Sequence, residues 1–95
     1  MNRSEIIIAL ETIRNSIIKE YEINKDTKLS NNYKHGIELC DNMIMRVKDT
    51  NVAFTSETLL GAFSRYAVDS LPWSGDIMKV YGEQSAIIKQ KCNIK

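Results

Sequence analysis

The sequence predicts an all-α, single-domain antiparallel bundle of about four helices. Apolar residues recur three and four apart in four separate stretches: Ile6–Leu10–Ile13–Ile17, Tyr33–Ile37–Cys40–Ile44–Val47, Leu59–Phe63–Tyr66 and, less cleanly, Ile77–Tyr81–Gln84–Ile88. That period belongs to helices that each bury one face. The length, 95 residues, suits one domain. One Pro and four Gly leave little room for flexible linkers, and short connections favour antiparallel neighbours.

The first helix is predicted from Ser4, a good N-cap followed by Glu5 at the positive end of the helix dipole, to about Tyr21. Ile6-Ile7-Ile8 has the β-branched character of a strand, but the sustained three-four spacing over this length decides for helix. Residues Ile23 to Asn32 are polar and form the clearest loop, with Ser30, Asn31 or Asn32 available to cap a second helix that runs to about Lys48. Gly36 inside it marks either a close helix–helix contact or a late helix start, since glycine costs about 1 kcal/mol there relative to alanine.

The third helix carries a more specific start signal. With Thr55 as N-cap, Phe54 falls at N′ and Leu59 at N4, the two positions of a hydrophobic staple. It runs to about Ser70 and stops before Pro72, because a proline pushes the preceding residue out of the helical region. Pro72 to Asp76 reads as a tight turn, and a fourth helix starts near Ser74 or Asp76 and continues to about Lys91, with Gly82 as a point where it could kink or divide.

Composition excludes more than it assigns. Lys plus Arg is 13 and Asp plus Glu is 12, a formal net charge of +1, and both signs mix along the chain. A nucleic-acid binder needs a basic excess or stripe, because phosphate neutralisation supplies much of its affinity. The locally basic end, Lys89, Lys91 and Lys95, reads as a solvated helix terminus. Cys40 and Cys92 form no CxxC pair and read as reduced thiols. Five apolar residues from Ile6 to Leu10 are too few for a signal-peptide core, and no stretch approaches a membrane span, so a cytoplasmic protein with no membrane association is expected.

No chemical motif stands out. His35 is the only histidine, which removes metal sites built on paired histidines, and no metal or cofactor is expected. An enzyme built on His35 with Cys40 or Asp41 has poor local geometry, since separations of five and six are not the adjacent three-four pairs of a helix. The acidic residues are scattered, and Glu11 with Arg14 and Glu22 with Lys25 look like solvated helix faces. The sequence has neither a Gly-rich phosphate loop nor a GxSxG elbow. The segment Arg65 to Trp73 carries the residue types enriched at interface hot spots, and Arg65, Tyr66 and Trp73 are the candidate partner contacts. A lone Trp also serves as a core plug. Met45, Val68 and Val80 lie off the main apolar lines, a weak signal for a dimer interface or partner groove.

By elimination, the expected function is a non-enzymatic protein-binding module that masks a site on another protein (a toxin, an enzyme or a host factor), with a homodimer as a further possibility. In size, helical pattern and richness in Ile, Asn and Lys, the chain resembles, as a class only, small helical bacterial immunity proteins and phage-encoded inhibitors. The alternative is a small helical DNA-binding transcriptional regulator that uses the second and third helices as a helix-turn-helix. Against it, the third helix offers only Arg65 as a long basic side chain.

Overall fold

The computed structural model describes residues 3–49, 51, 54–70 and 75–92. These form four helices and no strand: α1 (Arg3–Ile23), α2 (Ser30–Lys48), α3 (Ser56–Ser70) and α4 (Asp76–Cys92). The Ile6–Ile8 triplet is helical, as the spacing requires. Contacts between opposite helix ends show the antiparallel order. Arg3, at the start of α1, donates to the Val47 carbonyl near the end of α2 at 2.5 Å. Lys91, at the end of α4, pairs with Glu5 of α1 at 2.6 Å. Tyr66, late in α3, donates to the Asn32 carbonyl early in α2 at 2.5 Å.

The four helices form a two-by-two bundle. Its extents of 44 × 23 × 19 Å are about two helix diameters across in both short directions. α1 packs against α2 and α4, α3 packs more lightly against the same two, and α1 and α3 stand diagonally opposite. The α1 face is wholly aliphatic: Ile6, Ala9, Leu10, Ile13 and Ile17 are all at zero exposure. Burial of each large side chain contributes about 1.5–3 kcal/mol. Phe63, Val47, Cys40 and Ile88 are equally enclosed, while Met43 is buried and Met78 half-buried against the same core.

Helix ends depart from the sequence reading in places. Ser4 lies inside the first turn of α1, which already includes Arg3. Ser30, Asn31 and Asn32 are likewise inside α2; the capping position falls on Leu29, which has no side-chain cap bond. The preceding turn is closed by Thr27, whose hydroxyl accepts from the Leu29 N–H and whose carbonyl accepts from the Ser30 N–H. Thr55 does cap α3. Its hydroxyl accepts from the Thr58 N–H at 3.1 Å, and the Thr58 hydroxyl accepts from the Thr55 N–H at 2.9 Å. This is a capping box with Thr at N3, and Phe54 and Leu59 of the predicted staple are both buried. Gly82 does not divide the fourth helix, which is continuous from Asp76 to Cys92. The predicted Pro72–Asp76 turn lies mostly outside the described residues.

Of the two readings of Gly36, the close contact holds. A Cβ placed there would lie 2.5 Å from Tyr66 Oη and 2.8 and 2.9 Å from two ring carbons. The missing side chain leaves a notch in α2, and the Tyr66 ring fills it, which lets the phenol reach the Asn32 carbonyl.

Gly36→Ala is expected to lower the unfolding free energy by about 1–3 kcal/mol, although alanine gains about 1 kcal/mol in helix propensity. In a Tyr66→Leu background the same change should become neutral or stabilising. Urea denaturation of the four variants checks this, and stabilisation by Gly36→Ala in the wild-type background would refute the notch. Thr55→Ala should cost about 1 kcal/mol on the same curves.

Candidate functional site

The three sequence-predicted contact residues separate in the structure. Arg65 is exposed on the outer face of α3. Tyr66 is 6% exposed and faces inward, engaged with Gly36 and Asn32. Trp73 lies outside the described residues. Tyr66 belongs to a run of rings that joins three helices: His35 of α2 meets its edge at 5.5 Å, Phe63 lies 5.3 Å away, and Tyr81 of α4 lies 5.0 Å from Phe63. A hydrogen bond between the Ser64 and Tyr81 hydroxyls closes the seam between α3 and α4.

The groups considered for catalysis are engaged separately. His35 is exposed on α2 with its ring on Tyr66. Asp41 pairs with Arg14 of α1 at 2.5 Å, which replaces the predicted Glu11–Arg14 surface pair. Lys91, read as a solvated terminus, reaches across to Glu5, whereas Glu22 and Lys25 pair locally at 2.8 Å as expected. Cys40 is a buried free thiol, and burial, with the nearby Asp41 charge, pushes it up to about 12. Such a thiol is a poor nucleophile at neutral pH. Among the described residues, no group of three His, Cys, Asp or Glu side chains is placed to hold a metal ion. No described helix is long and apolar enough to cross a membrane.

Three surface depressions remain to be weighed. The largest, about 360 Å³, lies between α1 and α4 and is lined by Ser16, Lys19, Glu20, Asp76, Lys79, Val80 and Glu83. Its two lysines and three carboxylates mix both signs and leave a formal charge of only −1, a weak field for a charged ligand. A smaller one, about 130 Å³, runs between α2 and α3 over Met43, Arg46 and Leu59. The third, about 280 Å³, is a shallow, mainly apolar depression on α3 lined by Ser64, Arg65, Val68 and Asp69. Val68 is 51% exposed within it. Arg65 and Asp69 stand one turn apart on this outer face, and the half-exposed Val68 lies beside Arg65, on the side of Ser64.

Val68 was visible in the sequence as an apolar residue off the main line; Ser64 and Asp69 were not singled out. Their signal is positional: Asp69 lies with Arg65 on the side of α3 away from the Leu59–Phe63–Tyr66 line, and Ser64 lies at its border toward α4. The exposed residues of α3 include Glu57, Arg65 and Asp69, one cation against two carboxylates, which is not the surface of a recognition helix. Met45 is 69% exposed on α2, while Val80 packs half-buried against the core. No family model, curated protein or solved structure matches the chain.

Stability should fall in alkali. Burial raises Cys40 from 9.0, and it raises the Tyr66 phenol and, more weakly opposed by the Ser64 bond, the Tyr81 phenol from 10.0. An acid whose folded value is raised favours folding fully below its unfolded value and loses that contribution as pH climbs toward the folded one. The urea midpoint should therefore hold steady up to about pH 8.5 and decline by about pH 10.5. A midpoint that is flat or rising over that span would contradict the burial of these groups.

Proposed function

We propose that this protein is a non-catalytic binding module that works in the cytoplasm by covering a site on another protein, as an inhibitor, an immunity factor or an accessory subunit. The reading rests chiefly on one observation: the outer face of α3 exposes Val68 in a shallow, mainly apolar depression that Arg65 and Asp69 also line. Apolar contact area ringed by charged groups is how a protein surface excludes water from a contact and fixes its register. The matching partner surface carries an apolar side chain to fill the depression, an acid opposite Arg65 and a base opposite Asp69. The mixed signs of those charges and the near-neutral whole chain favour a protein partner over nucleic acid.

Affinity purification of the tagged chain from its own cells, followed by mass spectrometry and sizing, tests the proposal. One stoichiometric protein partner is expected. Val68→Asp should weaken its capture by about tenfold or more and Arg65→Ala by less, both with an unchanged melting temperature, because neither side chain is in the core. Recovery of nucleic acid, of a self-dimer alone, or of a partner indifferent to both substitutions would overturn this assignment of the face.

A further inference from the structure

We propose that α3 undocks from α2 and α4 as a unit while α1, α2 and α4 stay folded, which makes α3 a lid over the apolar groove beneath it. The two sides of the bundle are held differently. α1 presents only aliphatic side chains at zero exposure to α2 and α4. The α3 side mixes the apolar contacts of Leu59, Leu60, Phe63 and Ala67 with hydroxyl bonds, between Ser64 and Tyr81 and from Tyr66 to the Asn32 carbonyl. Hydroxyl bonds are exchanged for water bonds at little net cost, whereas aliphatic contacts are not. α3 is also the most lightly packed helix, and its backbone neighbours are α2 and α4 and not the diagonally opposite α1, so its departure leaves the α2–α1–α4 backbone arrangement in place. Its capping box is made by Thr55 and Thr58 alone, so that cap survives undocking. Opening of a lightly packed unit below the global unfolding free energy is an ordinary property of native proteins.

Cys40 reports on this motion. It is fully buried on α2, close enough to Tyr66 and Tyr81 for its charge to act on both phenols. Lifting α3 removes Tyr66 and exposes the thiol. In a Cys92→Ser background, Cys40 is the single cysteine, and its reaction with a disulfide-exchange reagent measures opening without any partner, independently of the binding reading. Labelling should proceed through an opening at least about tenfold more frequent than global unfolding and show a weaker urea dependence. Tyr66→Phe, which removes the bond to Asn32, should speed labelling about fivefold. Ile7→Ala provides the control: Ile7 is half-buried and shares with Arg14 the α1 face that meets α2. It should lower global stability while changing Cys40 labelling by less than about twofold. Labelling that coincides with global unfolding, or that accelerates with Ile7→Ala as much as α1 amide exchange does, overturns the lid.

Discussion

The fold depends on one continuous aliphatic wall. Ile6, Ala9, Leu10, Ile13 and Ile17 project from α1 into the angle between α2 and α4, and none retains any exposure. A 95-residue chain buries a thin core, so a stripe of this kind accounts for a large share of a total stability of about 5–15 kcal/mol. Polar contacts at the rim then set register. Arg3 on the Val47 carbonyl and over the Phe54 ring, Arg14 on Asp41, and Glu5 on Lys91 each join α1 to another part of the chain. The Arg14–Asp41 and Glu5–Lys91 side chains are a third to a half exposed, so these pairs align helices more than they hold them together.

The opposite side of the bundle follows a different logic. There a notch at Gly36 receives the Tyr66 ring, and rings from His35 to Tyr81 run across three helices. Shape and hydrogen bonding there add to the apolar area that Leu59, Leu60, Phe63 and Ala67 bury in docking α3. The same helix carries the exposed Val68 depression on its outer face, so the most lightly packed element is also the one proposed to meet a partner. Binding sites are commonly drawn from the less stable parts of a structure.

The helices were legible because their apolar spacing is regular and long. The first three predicted core lines are buried at most of their positions and the fourth at Ile77 and Ile88, and the boundaries shift by only a residue or two. Caps were harder to read. Thr55 was identifiable because Phe54 and Leu59 supply a second signal, whereas Ser4 has only Glu5 behind it and Ser30 shares the role with Asn31 and Asn32, and all of these lie inside their helices. Cross-helix partners left no local trace. Arg14 has Glu11 one turn away, yet it pairs with Asp41, 27 residues on. For Tyr66, two sequence signals competed: its place on the Leu59–Phe63 line pointed inward and its residue type pointed to an interface. The structure places it inward, so periodicity outweighed composition. Of the candidate contacts, only Arg65 is both described and exposed, and its neighbours Val68 and Asp69 became meaningful once the outward face of α3 was known.

The central claim is that the α1 wall is the shared support of α2 and α4 and not the interior of one helix pair. Residue-resolved hydrogen exchange of the Ile13→Ala variant tests it most directly. If the account is right, the slowest amides of α1, α2 and α4 lose protection together, by the factor corresponding to the about 2–5 kcal/mol expected for removing a fully buried Ile. Loss confined to α1, with α2 and α4 protected as in the wild type, would contradict it.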